Sequence, residues 1–132
     1  MEPVFLSLED VLEIHRDQLQ RYGGMPGVRD VGLLQSAVCM PLAEFDGHFL
    51  HKDIFEMAGA YLFHLAMNHP FVDGNKRVGV VSALVFLALN GFEVTVEDEH
   101  FEKVVLDMIA KKKTKEQVGR FFRRYAHHDK ED

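Results

Sequence analysis

Apolar side chains repeat along most of this chain at the spacing of α-helices, between residues that favour helix starts and stops. The pattern predicts six helices, at residues 8–21, 31–40, 53–68, 78–89, 98–111 and 115–125. The first and the last of these helices begin with residues at the spacing of a capping box, Ser7 with Asp10 and Thr114 with Gln117. Residues 92–96 alternate between apolar and polar side chains and predict one short strand.

The third and fourth predicted helices are apolar around most of their circumference. Such helices belong at the centre of a bundle, with amphipathic helices packed outside them. We therefore expect an all-α fold, a compact single-domain helical bundle over residues 1–132, in which two buried central helices flank a loop at residues 69–77. The minor strand, a loop at residues 42–51 and a loose tail at residues 127–132 complete the predicted fold.

The composition is that of an ordinary globular domain, with 47% apolar and 27% charged residues among 132. The formal net charge of −6 argues against direct binding to nucleic acid, because a polyanion would be repelled. The single cysteine, Cys39, cannot form an internal disulfide, which suits a reducing compartment. No secretory signal is visible, and the longest apolar run, residues 78–89, is shorter than the roughly 20 residues of a membrane span. These features predict a cytoplasmic protein that does not enter a membrane.

Polar chemistry is concentrated in the loop between the two central helices, which reads His69-Pro70-Phe71-Val72-Asp73-Gly74-Asn75-Lys76-Arg77. Gly74 permits a tight turn, and the N–H groups that open the following helix can face an anion. Asp73 offers an oxygen ligand to a hard cation, while Lys76 and Arg77 offer positive charge to phosphate oxygens. Taken alone, His69 would be interpreted as a helix cap, and it is the combination that favours a catalytic base. The loop therefore predicts a site for a magnesium-bound polyphosphate.

This stretch resembles the signature of the Fic/Doc (Fido) family, His-x-Phe-x-Asp/Glu-Gly/Ala-Asn-Gly/Lys-Arg, and every specified position is present. The sequences Tyr22-Gly23-Gly24-Met25-Pro26-Gly27 and Leu89-Asn90-Gly91 resemble the short death-on-curing branch of that family. The resemblance implies a transferase that uses ATP and Mg²⁺ and acts on a protein hydroxyl. It implies catalytic roles for His69, Asp73 and Arg77, and magnesium binding by Asp73. It also implies that ATP is bound by Gly74, Asn75, Lys76 and Arg77. Phe71 is interpreted as an aromatic anchor beneath the loop, and Asn75 also as a residue that orients it.

Two positions favour phosphoryl transfer over adenylyl transfer within that family. Nucleotidylating members mostly have a second glycine where this chain has Lys76, and a second arginine where it has Val80. By resemblance, the death-on-curing branch places the γ-phosphate of ATP at the anion site and phosphorylates a threonine of elongation factor Tu, which arrests translation. We therefore expect the kinase toxin of a toxin–antitoxin system. Gly74, where this branch often has alanine, keeps protein adenylyl transfer as the alternative.

Regulation is expected from a separate antitoxin protein. Many family members carry an inhibitory helix of the form Ser/Thr-x-x-x-Glu-Gly/Asn, and the nearest match, residues 95–100, lacks the final Gly/Asn and begins in the predicted strand. Two alternatives are not enzymes: a corepressor that only binds the antitoxin, and a degenerate binding module, against which the complete motif argues. The glycine-rich turn at residues 23–27 is interpreted as a helix stop.

Overall fold

The computed structural model describes residues 2–129, and the six α-helices within them confirm the all-α fold class. They are α1 (Leu8–Tyr22), α2 (Val31–Cys39), α3 (Ile54–Asn68), α4 (Asn75–Leu89), α5 (Asp98–Ile109) and α6 (Lys115–Tyr125). A 3₁₀ turn, Met40–Leu42, follows α2. Two antiparallel pairs of very short strands are β1 (Glu44–Phe45) with β2 (His48–Phe49), and β3 (Phe92–Val94) with β4 (Ala126–His128). Within the described residues, no helix is long and apolar enough to cross a membrane.

Helices α3 and α4 form the centre of the bundle, as predicted, and pack against each other more extensively than any other pair of elements. Glycines bring their backbones close together. A Cβ atom on Gly79 of α4 would lie 3.0 Å from the carbonyl oxygen of Leu62 on α3. Helix α3 also approaches α6 closely, because a Cβ atom on Gly59 would lie 3.0 Å from the backbone nitrogen of Gly119 on α6. The two helices that carry the loop are therefore fixed against each other by tight packing.

Local signals explain where most of the helices begin. Both predicted capping boxes, opened by Ser7 and by Thr114, are present. Asp30 and Asp53 cap α2 and α3 by accepting hydrogen bonds from backbone N–H groups of the first turn. Helix α4 differs, because no side chain caps its first turn and Gly74 is its N-cap residue. Its first N–H groups are therefore not occupied by a capping side chain.

Three local predictions are corrected by the structure. The predicted loop at residues 42–51 contains the β1–β2 hairpin. Helix α4 begins at Asn75 rather than at residue 78, because Gly74 already forms the turn that precedes the helix and is its N-cap residue. The tail predicted at residues 127–132 is wrong at its start, where β4 pairs with β3, and residues 130–132 lie outside the described part of the chain.

Candidate active site

The loop at residues 69–77 turns the chain from α3 into α4 with two residues in the left-handed region of the backbone. His69 ends α3 with φ 49° and ψ 53°, and Gly74 precedes α4 with φ 82° and ψ 14°. Glycine adopts this conformation without strain, whereas His69 carries a Cβ atom and is held there by its surroundings. The guanidinium of Arg29 donates to the carbonyl oxygens of His69, at 2.6 Å, and of Asn68, at 3.0 Å. This cation also complements the negative end of the α3 dipole.

Asn75 holds the middle of the loop through Phe71. Its side-chain oxygen accepts a hydrogen bond from the Phe71 N–H at 2.9 Å, and its side-chain nitrogen donates to the Phe71 carbonyl at 3.0 Å. Phe71 is only 1% exposed, which confirms the predicted anchor beneath the loop. The Asn75 amide nitrogen is 3.5 Å from Nδ1 of His69, longer than an ordinary hydrogen bond. Asn75 therefore orients the loop backbone rather than the imidazole.

The start of α4 has the features of an anion site. Backbone N–H groups in its first turn have no side-chain cap, and they carry the positive end of the helix dipole. This turn opens onto a cavity of about 310 Å³ lined by His69, Val72, Asp73, Gly74, Asn75, Lys76 and Arg77. The structure thus brings all of the site residues expected from the sequence together around one cavity.

The Asp73 carboxylate is fixed at this cavity by backbone N–H groups, and it does not cap the helix that follows. Its Oδ2 accepts from the Met25 N–H at 3.1 Å, and its Oδ1 accepts from the Gly74 N–H at 2.9 Å. These two bonds, with a smaller effect of the Arg77 charge, hold the pKa of the Asp73 carboxyl below its usual range. A Cβ atom on Gly24 would lie 2.8 Å from Oδ2, so this approach requires glycine. The carboxylate stays ionised and retains lone pairs for a further ligand.

Lys76 and Arg77 supply the positive charge of the cavity and differ in their freedom to move. Lys76 is exposed to solvent, whereas Arg77 is partly buried. The Nη1 of Arg77 donates to the Gln18 carbonyl at 3.4 Å, and its guanidinium lies 5.2 Å from the centre of the Tyr22 ring. Helix α1 therefore positions Arg77, while Lys76 can follow a ligand.

The turn at residues 23–27 contacts the site, although the sequence was interpreted there only as a helix stop. Besides the bond from Met25 to Asp73, the segment continues into an antiparallel bridge between Val28 and Phe71. The turn therefore fixes both the carboxylate and the loop backbone. Its one sequence signal was that it belongs to the stretch that resembles the death-on-curing branch.

His15 is a second contact that sequence reasoning missed. It is buried on α1, and its ring stacks on Phe71 with the ring centres 3.8 Å apart. Its Nε2 lies 3.0 Å from the carbonyl oxygen of Asp73. The only signal was a histidine among the apolar positions of an amphipathic helix, a pattern that does not by itself indicate a site.

A second cavity, of about 390 Å³, adjoins the first through Lys76 and Arg77. It is a groove between α4 and α5, lined by Lys76, Arg77, Val80, Val81, Asp98, Phe101, Glu102 and Val105. Its walls are largely apolar, and its charged residues include two cations beside the first cavity and two carboxylates on α5. A ligand in this groove would contact the same two cations that line the first cavity.

The fold and the loop define a class of domain in which two central helices present a histidine, a carboxylate and the uncapped start of a helix to one cavity. The sequence profile of the Fic/DOC family matches residues 5–87. The chain is 36% identical over 89 residues to a protein of Escherichia phage P1 named Protein kinase doc, which covers 67% of this chain and 70% of that protein. It is 39% identical over 93 residues to Toxin Doc of Mycolicibacterium smegmatis, which covers 70% of this chain and 69% of that protein. The chain belongs to the Fic/Doc family, as its loop predicted.

Proposed function

We propose that this chain is the toxin of a toxin–antitoxin system and acts as an ATP- and magnesium-dependent protein kinase. One arrangement carries the proposal: a base, a carboxylate and two cations share a cavity with the uncapped start of α4. One similar protein is named a protein kinase and another a toxin, which supports it. The acceptor is a hydroxyl group of a translation factor similar to elongation factor Tu, so that transfer arrests translation. The protein then acts in the cytoplasm and needs no direct contact with nucleic acid.

In the proposed reaction, His69 accepts the proton of the target hydroxyl while the hydroxyl oxygen attacks the γ-phosphorus of ATP. The bond from that phosphorus to the oxygen bridging it to the β-phosphate breaks, and ADP leaves. Lys76, Arg77 and the N–H groups of α4 neutralise the charge on the phosphate oxygens. Gly74 lets the backbone approach the phosphates closely, and Asn75 keeps the loop in shape.

Asp73 fits the role of a magnesium ligand. Mg²⁺ beside a nucleotide is usually held by one or two carboxylates together with phosphate oxygens and water, not by a cage of protein ligands. When bound, the ion would neutralise charge on the phosphate oxygens.

Adenylyl transfer is the second candidate reaction, and Gly74 is the residue that favours it, because a slim loop also admits an α-phosphate. Lys76 and Val80 favour phosphoryl transfer, since lysine fills space beside the loop and valine offers no charge to more distant phosphates. Mass spectrometry of a cell lysate incubated with the purified protein and ATP distinguishes the two. We expect phosphate on a translation factor, whereas adenylate on the target would replace the proposal by the alternative.

We further propose that a separate antitoxin occupies the groove between α4 and α5. Val80, Val81 and Phe101 give the groove an apolar wall that suits one face of an amphipathic helix. Lys76 and Arg77 also line this groove, so an acidic side chain of the antitoxin could bind them in place of the phosphate of ATP.

The variant His69→Ala separates the kinase from the corepressor alternative. We expect growth arrest to disappear in cells that express the variant, because the base is lost, while binding of the antitoxin persists. Binding is measured with purified proteins by calorimetry. Growth arrest by a folded His69→Ala protein would contradict the assignment of the base.

A further inference from the structure

We propose that His15 is a positioning residue, which selects the orientation of the peptide unit between Asp73 and Gly74 and thereby keeps an N–H group beside the Asp73 carboxylate. The observation is a buried imidazole on α1 that bonds to the loop backbone at the Asp73 carbonyl, directly before Gly74. The inference deepens the proposed function and rests on it for its kinetic consequence.

The bond between His15 and the loop has a defined direction. Nε2 lies 3.0 Å from the Asp73 carbonyl oxygen, and because a carbonyl only accepts, Nε2 must carry the hydrogen. The ring is 5% exposed and lies nearly parallel to Phe71, with an angle of 12° between the planes. Phe71 is in turn bonded twice to Asn75. The imidazole is therefore held by packing, and its donor has one fixed target.

The peptide unit that receives this bond can adopt two orientations. Its N–H belongs to Gly74 and donates to Oδ1 of Asp73 at 2.9 Å. Gly74 has φ 82°, and glycine populates positive and negative φ about equally well. Rotation of this peptide by about half a turn, as between type I and type II turns, is therefore sterically open. The hydrogen bond from His15 stabilises one of the two orientations.

The selected orientation keeps the Gly74 N–H on the Asp73 carboxylate. The carbonyl of this peptide unit points toward His15 on α1, and its N–H points toward Oδ1 of Asp73. After rotation, the carbonyl oxygen would take the place of the N–H beside the carboxylate, which repels it. His15 thus keeps an N–H group beside this carboxylate, which lines the cavity at residues 69–77.

Two variants separate the hydrogen bond from the packing of the ring. His15→Phe keeps an aromatic ring against Phe71 and removes the donor, whereas His15→Gln places an amide N–H near the position of Nε2 and loses the ring. We expect His15→Phe to lower kcat roughly tenfold, the rate equivalent of one lost hydrogen bond, and to leave KM for the protein substrate unchanged. His15→Gln should recover most of the lost activity. Urea unfolding of both variants checks that they are folded.

A second measurement does not depend on catalysis. The amide resonance of Gly74 and the carbonyl resonance of Asp73 should shift in His15→Phe and return toward the wild-type values in His15→Gln. If the wild-type protein transfers no phosphate, the proposed function fails while these resonances still decide the role of His15.

Three results would overturn the inference. The first is an unchanged Gly74 resonance in His15→Phe, and the second is a folded His15→Gln protein as impaired as His15→Phe. The third is a wild-type imidazole whose nitrogen shifts show Nε2 without a hydrogen, a result that requires no variant to fold.

Discussion

Replacing Asn75 by alanine tests how the loop is held together. The variant leaves the N–H and the carbonyl of Phe71 without partners, in a residue that is 1% exposed. Each buried, unpaired backbone group costs about 1–3 kcal/mol, so the two together cost roughly 2–6 kcal/mol. For a chain of this length, 1 kcal/mol corresponds to about 3–5 °C of melting temperature, so the melting temperature should fall on the order of 10–20 °C. Thermal unfolding followed by circular dichroism measures this change.

Asn90, at the other end of α4, provides a matched control. Its amide makes three hydrogen bonds, accepting from the Val4 N–H and donating to the carbonyls of Val4 and Phe86. The two bonds to Val4 are exposed, so water can replace them, and only the bond to Phe86 is partly buried. Asn90→Ala should therefore cost less than Asn75→Ala, about 1–2 kcal/mol, and leave transfer activity unchanged. Equal melting temperatures for Asn75→Ala and Asn90→Ala would refute the reasoning that the burial of Phe71 sets the cost.

Gly24→Ala should raise the magnesium concentration needed for transfer, because a Cβ atom there would lie 2.8 Å from Oδ2 of Asp73. Gly23→Ala is the control, because Gly23 also has a positive φ but an added Cβ atom would meet nothing within 4 Å. Identical magnesium titrations of Gly24→Ala and Gly23→Ala would contradict the prediction. Burial, followed by the charge of Lys115, lowers the pKa of His64 to about 4 from 6.5. Between about pH 4 and pH 6.5, His64 is therefore protonated in the unfolded chain but neutral in the folded one. Its contribution to the free energy of unfolding is full above about pH 6.5 and decreases as the pH falls toward 4. The pKa shift corresponds to roughly 3 kcal/mol. The loss in the free energy of unfolding should be smaller than this, because the His64 ring is partly exposed. Urea unfolding should show a smaller decline in His64→Gln, and an equal decline would count against the burial of His64 as its cause.

The helices and the composition of the site were predictable because their signals are local. A capping side chain such as Ser7 or Thr114 lies within one turn of the N–H group that it bonds, so the sequence alone contains the interaction. The apolar circumference of α3 and α4 likewise indicates their central position. Residues of the loop are neighbours in sequence between two helices, so the structure necessarily brings His69, Asp73 and Arg77 near one another.

The contacts that hold the loop in place were not predictable, because they join distant parts of the chain. Met25 and Asp73 are 48 residues apart, and His15 and Asp73 are 58 residues apart. No local periodicity connects such pairs, and a histidine among apolar positions usually has only a packing role. Strand β4 was missed for a similar reason, since its three residues have no strand pattern of their own and are ordered by pairing with β3.

Phosphoryl transfer at this loop is tested most directly by parallel labelling with ATP that carries radiolabel at the α or the γ position. The assay supplies elongation factor Tu, the proposed target, and compares the wild-type protein with Lys76→Gly and His69→Ala. Wild type should transfer the γ-label alone, and His69→Ala should transfer neither label although it is folded. Lys76→Gly should lose roughly ten- to a hundredfold of the γ-transfer, the equivalent of about 1.5–3 kcal/mol for a charged phosphate contact. Transfer of the α-label by the wild-type protein would contradict the kinase mechanism, and transfer of the γ-label by folded His69→Ala would contradict the role of the base.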